Sequence, residues 1–383
     1  MNTQKYIFYN KINYKTQKKI TTFWQNCINK LTFEPVVSIF FSLGEMLMRK
    51  FNIAVVGATG MVGNKFLEVL EERNLPVNNY YLFASSRSAG KQIDFVGKPH
   101  TVIELTAENI RRLKGKIDFA LFSAGGGVSK DFAPIFVEIG ATVVDNSSQW
   151  RMDENVPLVV PEVNPEDVKW NKGIIANPNC STIQAVVALK PLYDKYGIKR
   201  IVYSTYQAVS GAGVAGYNDL KNGVNGEATT KFPYPIAFNI LPHIDVFTES
   251  GYTKEEIKMI EETKKIFHDN SLRITATTVR VPVYHGHSES INVEFKSPCT
   301  REGVVDALKN FDGIIVEDDT SKNLYPMPIN AENHDEVFVG RIRIDDSVES
   351  GVNLWVVADN IRKGAATNAV QIVELLIKNA LEV

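Results

Sequence analysis

At 383 residues, with 44% apolar and 22% charged side chains, the chain has the makeup of a soluble globular protein with room for two domains. A formal charge of −2 gives no electrostatic basis for binding nucleic acid or a membrane surface. Three cysteines, Cys27, Cys180 and Cys299, are too few and too scattered for a disulfide framework or a structural zinc site, and fit a reducing cytoplasm.

Residues 1–48 differ from the rest. They are rich in Lys, Asn, Gln and aromatics and hold no Arg or Asp. The apolar run Val36 to Leu43 is too short to cross a bilayer. Scarce Arg and Ser argue against a transit peptide. The expectation is a disordered extension or a start assigned too early, with the functional chain beginning at Met46 or Met48.

Phe51 to Val56 reads as a buried strand, and Gly57-Ala58-Thr59-Gly60-Met61-Val62-Gly63 follows at once. Phe66, Leu67, Val69 and Leu70 then give a helical period. Strand, glycine loop and helix in that order make a dinucleotide fingerprint with G-x-x-G-x-x-G spacing. Its glycines let the backbone approach a pyrophosphate, and the N–H groups of the helix start bind it.

The next strand, Tyr80 to Ala84, runs into Ser85-Ser86-Arg87-Ser88-Ala89-Gly90. An NAD site would place an acid here for the ribose 2′-hydroxyl. Arg87 among hydroxyls suits a 2′-phosphate, so the expected cofactor is NADP. Further strands are read at Ile117 to Phe122 and Ala141 to Val144, each ending in small polar residues. Arg151 lies just beyond; its spacing fits an anion clamp or a solvated arginine equally.

Asn177-Pro178-Asn179-Cys180-Ser181-Thr182 stands between an apolar strand (Gly173 to Ala176) and an apolar helix that runs to about Tyr196, with Pro191 expected to kink it. A thiol at the positive end of a helix favours thiolate, so Cys180 is expected to be an ionised nucleophile.

Ile201 to Tyr206 reads as a strand, followed by Gln207 to Gly213, which fits either a glycine turn beside a cofactor or a hairpin turn. Thr253-Lys254-Glu255-Glu256 is a capping box opening an amphipathic helix through Phe267, whose charges are expected to form a wet face. Thr275 to Val283 is a strand carrying Arg280. Tyr284-His285-Gly286-His287 leads into another strand through Phe295. The two histidines lack a third convergent metal ligand, so no metal is expected; one is a candidate general base, and either fits a structural histidine. Val337 to Ile344 and Val352 to Ala358 complete a mixed sheet. Ala366, Ala369, Val370, Val373, Leu376, Ile377 and Ala380 stripe a terminal helix expected to pack on the nucleotide half.

Taken together, the glycine loop, Ser85 to Gly90, Asn177 to Thr182, Gln207 to Gly213, and Arg280 with His287 resemble aspartate-semialdehyde dehydrogenases from about Arg49 to Leu381. Pro235 to Asn239 and Val337 to Arg341 look like the branch typical of Gram-positive bacteria. The resemblance implies an α/β fold: a Rossmann-type NADP-binding domain (49–176, completed by a C-terminal helix, 364–383) and an α+β catalytic and dimerisation domain with a mixed sheet (177–363). It implies NADPH-dependent reductive dephosphorylation of L-4-aspartyl phosphate to L-aspartate 4-semialdehyde and phosphate, on the way to lysine, threonine and methionine, by a homodimer or dimer of dimers.

By the same resemblance, Cys180 matches the nucleophile that forms an acyl-thioester and His287, rather than His285, the general acid/base. Arg280 matches the residue that holds the substrate carboxylate, Gln207 the one that orients the substrate, and Glu255 a substrate-side carboxylate. Arg151 and Lys258 match phosphate binders. Gly57, Thr59, Gly60, Met61, Val62, Gly63, Arg87, Ser88, Ser210, Gly211 and Asn360 match cofactor contacts. Two rivals remain: a reductase of N-acetyl-γ-glutamyl phosphate, with the same chemistry on a blocked amine, and an NADP-binding regulator without turnover. A glyceraldehyde-phosphate type dehydrogenase does not match the residues flanking Cys180.

Overall fold

The structure, a computed structural model, describes residues 49–382. The expectations for residues 1–48, Cys27 among them, lie outside the described residues.

The first sheet uses strands β1 (Phe51–Val56) and β2 (Val77–Ala84). A small antiparallel hairpin follows, β3 (Gln92–Phe95) and β4 (Lys98–Thr101), and then β5 (Ile103–Glu104), β6 (Phe119–Phe122), β7 (Thr142–Asp145) and β8 (Ile174–Ala176). The sheet order is β5-β2-β1-β6-β7-β8, with parallel pairing throughout. Apolar runs such as that of β1 are required because both faces are covered. Ile53 and Val55 join one core cluster with Phe66 and Leu70, while Ala54 and Val56 join another with Ala133 and Phe136.

The second sheet contains β9 (Ile198–Gln207), β10 (Arg273–Arg280), β11 (His287–Phe295), β12 (Ile314–Val316), β13 (Val337–Ile344) and β14 (Gly351–Ala358). Its order is β10-β9-β11-β14-β13-β12, with parallel and antiparallel neighbours. The α/β class and the mixed second sheet are as read from the sequence. Strand β10 ends at Arg280 rather than Val283, because Pro282 has no N–H to extend a ladder.

The helices are α1 (Met61–Arg73), α2 (Ala107–Arg111), α3 (Gly126–Glu138), α4 (Cys180–Tyr196), α5 (Gly213–Gly223), α6 (Lys254–Phe267), α7 (Arg301–Lys309), α8 (Pro328–Ala331) and α9 (Thr367–Glu382). Helix α4 is apolar nearly all round. It is buried against the second sheet, where Ile183, Val186 and Leu189 share a core with Ile201, Tyr203, Ile291 and Leu354. Helix α9 places Ala369, Val370, Val373 and Ile377 in the same core cluster as Phe51, Ile53 and Val55 of β1, so its stripe faces the nucleotide half as predicted. It begins at Thr367, not 364, because Arg362–Ala366 forms a wider π-type turn. Among the described residues no helix is long and apolar enough to cross a membrane.

One open alternative is settled and one expectation overturned. The segment after Gln207 is no hairpin turn: a short 3-10 turn, Val209–Ala212, feeds directly into α5. Nor is the charged face of α6 wholly wet, because Glu255, Glu256 and Glu262 are buried.

Candidate active site

A cavity of about 480 Å³ is lined by Met61 and Val62 from the glycine loop, by Arg151, Asn179, Cys180 and Gln207, by Ser210 and Gly211, by Glu255, Lys258 and Arg280, and by Asn360 and Gly364. Residues far apart in the chain thus share one wall. The cause is topological: the C-terminal ends of β1 and β8 and the ends of β9 and β10 open on the same space.

The glycine loop meets its geometric requirements. Gly57 has φ +84°, a left-handed conformation that suits glycine. A Cβ on Gly63 would lie 2.0 Å from the Gly57 carbonyl oxygen, so α1 packs against the loop only without a side chain there. The Thr59 hydroxyl donates to the Ser88 hydroxyl at 3.4 Å, tying the loop to the turn that carries the exposed Arg87. Ser210 and Asn360 are hydrogen-bonded to each other (Asn360 Nδ2 to Ser210 Oγ, 3.1 Å), and Asn360 Oδ1 also accepts from the Gly286 N–H at 3.0 Å.

Cys180 is the first residue of α4, and Asn179 caps that helix. Its Oδ1 accepts from the N–H groups of Ser181 (3.0 Å) and Thr182 (3.3 Å). Asn179 is held in turn from α6: its N–H donates to Glu262 Oε2 (2.7 Å) and its Nδ2 to Glu255 Oε1 (2.8 Å). Glu255 Oε1 also accepts from Gln207 Nε2 at 3.1 Å, and Oε2 from Lys258 at 3.1 Å. Lys258 bonds Asp245 as well, at 2.8 Å. Burial would raise the Glu255 carboxyl, but Lys258 and the amides of Asn179 and Gln207 hold it below the usual range. The same two carboxylates lift Lys258 above its ordinary value against the effect of burial. Glu256 faces elsewhere, accepting from the N–H groups of Thr253 and Thr278.

Arg151 is buried with all three guanidinium nitrogens engaged: Nε with the Asn177 carbonyl (2.9 Å), Nη1 with Glu262 (3.1 Å) and Nη2 with the Asn146 carbonyl (3.0 Å). Arg280 Nη1 donates to the Ala208 carbonyl at 2.6 Å, and the guanidinium lies 5.9 Å from the Phe232 ring centroid. Its Nε has no partner among the described residues.

The expectation of an ionised Cys180 is corrected. The half-buried thiol is densely surrounded by protein, and burial followed by the Glu255 carboxylate pushes it up to about 12. Arg151, Arg280 and the Ser181 N–H pull the other way without prevailing. The residues around a helix start carry no local sign of a carboxylate arriving from α6.

His287 is fully buried. Burial and then Arg280 push its imidazole well below the ordinary histidine value, so it is neutral. Its Nδ1 accepts from the Ala208 N–H at 3.0 Å, which assigns the ring proton to Nε2. Nε2 has no partner among the described residues. His287 is not itself on the cavity wall; Gly211 is, and a Cβ there would stand 2.9 Å from Arg280 Nη1 and 3.3 Å from His287 Nε2. His285 lies apart, 3.9 Å from Glu332.

Sequence reasoning missed Glu262, Asn179 as a relay, Asp245 and Gly364. Glu255, Lys258 and Glu262 lie three and seven positions apart on α6, so helical periodicity already places Glu262 on the same face. Gly364 carries no local signal. Its need appears only in space, where a Cβ would come 2.8 Å from Cys180 Cβ.

The semialdehyde dehydrogenase NAD-binding domain model matches residues 52–171, and the semialdehyde dehydrogenase dimerisation domain model residues 189–363. Aspartate-semialdehyde dehydrogenase of Aquifex aeolicus is 61% identical over 340 residues, covering 86% of this chain and 99% of that protein. The Bacillus subtilis enzyme of that name is 48% identical, covering 86% and 98%. A crystal structure of aspartate semialdehyde dehydrogenase II from Vibrio cholerae complexed with ASA is 50% identical with TM-score 0.82, covering 86% of this chain and 99% of that one. A structure of the Candida albicans enzyme with NADP is 28% identical with TM-score 0.69, covering 87% and 100%. On these grounds the chain belongs to the aspartate-semialdehyde dehydrogenase family.

Proposed function

We propose that this chain catalyses the reductive dephosphorylation of L-4-aspartyl phosphate to L-aspartate 4-semialdehyde with NADPH, in the biosynthesis of lysine, threonine and methionine. The observation that carries this reading is the single cavity in which Cys180 meets the glycine loop on one side and Arg280, Gln207, Lys258 and Arg151 on the other. Residues 49–176 with the terminal helix serve as the cofactor half, and residues 177–363 as the catalytic and dimerisation half of a homodimer. A reducing cytoplasm is the compartment such thiol chemistry needs.

The residues present fit NADP. The loop of Gly57, Thr59, Gly60, Met61, Val62 and Gly63 would hold the pyrophosphate, Arg87 with Ser88 the 2′-phosphate, and Ser210, Gly211 and Asn360 the nicotinamide end. When bound, NADPH supplies the hydride.

Cys180 attacks the acyl phosphate carbon, the carbon–sulfur bond forms, and the carbon–oxygen bond to phosphate breaks. The resting thiol is protonated, and this step balances without another acid or base, since the thiol proton leaves on hydrogen phosphate. Arg151 and Lys258 stabilise that departing anion. Arg280 holds the substrate carboxylate, with Gln207 and Glu255 orienting the chain between. After reduction of the thioester, the hemithioacetal oxygen requires a hydrogen-bond donor. The neutral His287 with its proton on Nε2 is suited to that, and backbone N–H groups at the start of α4 add to it. Collapse to the aldehyde breaks the carbon–sulfur bond, and the thiol is restored by a proton that His287 Nε2 gives up and regains from water.

A spectrophotometric assay with aspartate semialdehyde, phosphate and NADP tests the reading. Phosphate-dependent NADP reduction, slower with NAD and absent with the N-acetyl-glutamyl analogue, is expected. Turnover confined to the N-acetyl-glutamyl substrate would replace the reading with its nearest rival.

A further inference from the structure

Below Gln207 the second sheet carries a second row of polar side chains that the mechanism does not use. Register pairs Gln207 with Arg280 across β9 and β10, and one step further into the sheet it pairs Thr205 with Thr278. On the other side of β9, Thr205 pairs with Glu289 of β11. Side chains so paired stand about 5 Å apart at Cβ. Glu289, Thr205 and Thr278 are all 0% exposed. Helix α4 covers this layer, and its Gln184 donates from Nε2 to the His287 carbonyl at 3.2 Å.

Neither carboxyl oxygen of Glu289 has a hydrogen-bond partner among the described residues, and the same holds for Thr278 Oγ1 and Gln184 Oε1. A fully buried carboxyl left this way is costly unless it is neutral and finds a partner directly or through an internal water.

Hydrogen-bond direction limits what Thr205 can offer its neighbour. Glu255 Oε1 can only accept, so Gln207 turns Nε2 toward it at 3.1 Å. Gln207 Oε1 therefore faces Thr205, whose hydroxyl donates to it at 2.9 Å. That uses the one proton of Thr205. Toward its cross-strand neighbour Glu289, the threonine oxygen can then only accept, and an ionised carboxylate has nothing to give. Burial, followed by the Glu255 carboxylate, also pushes the Glu289 carboxyl well above its ordinary value.

We propose that Glu289 is a positioning residue, a neutral carboxylic acid whose proton, passed to Thr205 across one buried water, fixes the side-chain amide of Gln207 with Nε2 toward Glu255 and Oε1 inward. The relay runs from Glu289 through Thr205 and Gln207 to Glu255, and from there to Asn179 at the head of the Cys180 helix. The proposal rests on the reading of Gln207 as a substrate-orienting residue.

Infrared difference spectroscopy of the full chain against Glu289→Gln tests the neutral acid without reference to activity. A protonated-carboxyl stretch at neutral pH is expected in the unmodified protein and absent from the variant. Thr205→Val is expected to shift that band, because its acceptor is gone. Kinetically, Glu289→Gln keeps a neutral donor and should leave KM for aspartate semialdehyde close to the unmodified value. Glu289→Leu, or Thr205→Val if the leucine variant does not fold, should raise that KM about tenfold with kcat far less affected.

No carboxyl band lost in Glu289→Gln, or a glutamine variant as impaired as the leucine one, would overturn the proposal. An unchanged KM in Gln207→Ala would instead remove the role of Gln207, with the band and its shift in Thr205→Val still deciding the relay.

Discussion

Asn179 and Glu255 are joined by a 2.8 Å hydrogen bond from Nδ2 to Oε1, while the other end of the Asn179 amide caps the helix that begins with Cys180. One residue thus couples the position of the nucleophile to the helix that carries Lys258. Asn179→Ala removes the cap and leaves Glu255 short of a donor. A destabilisation of about 2 kcal/mol is expected, read as a lower midpoint in thermal unfolding. An unchanged midpoint would mean that the cap does not hold the helix start.

Cys180 raised to about 12 makes a definite statement about reactivity. The thiolate is the reactive form, so alkylation of the resting enzyme should be slow at neutral pH and climb steadily through the alkaline range without levelling before about pH 11. Glu255→Gln removes the second cause of the rise, and its alkylation curve should move to lower pH. A plateau near neutrality in the unmodified enzyme would restore the helix-start expectation of a resting thiolate.

Gly364 passes Cys180 so closely that a Cβ would sit 2.8 Å from Cys180 Cβ. Gly364→Ala must displace the nucleophile or the π-type turn. Overpacking of this kind costs about 1–3 kcal/mol, and kcat should fall about tenfold or more with NADP binding retained in a fluorescence titration. Full kcat in that variant would show that the turn yields without moving the sulfur.

Arg280 lines the cavity with one Nη1 N–H on the Ala208 carbonyl, which leaves its other Nη N–H groups as a fork for a carboxylate. Arg280→Lys keeps the charge and loses the fork. A loss of about 2 kcal/mol, roughly thirtyfold in kcat/KM, is expected in steady-state kinetics. An unchanged kcat/KM would move the substrate carboxylate elsewhere.

The elements around the site were legible where the pattern is local. The apolar run of β1 with its glycine loop, the capping box of α6 and the stripe of α9 each announce themselves within a few residues. The hairpin β3–β4 was not read, because Gln92–Phe95 and Lys98–Thr101 hold too few apolar residues to show a period. The site followed the same division. Cys180, Arg280 and His287 stand in recognisable motifs, whereas Gly364 and the protonation state of Cys180 depend on contacts between segments distant in sequence. The buried carboxylates of α6 misled for the same reason: charge spacing gives the face of a helix but not what packs against it.

The central claim is that the sulfur of Cys180 carries the acyl group. Mixing the enzyme with L-4-aspartyl phosphate in the absence of NADPH, quenching in acid and mapping the adduct by peptide mass spectrometry tests it directly. An aspartyl thioester on the peptide containing Cys180, released as aspartate semialdehyde when NADPH is added before the quench, is the predicted result. An adduct on another residue, or turnover that survives Cys180→Ala, would contradict it.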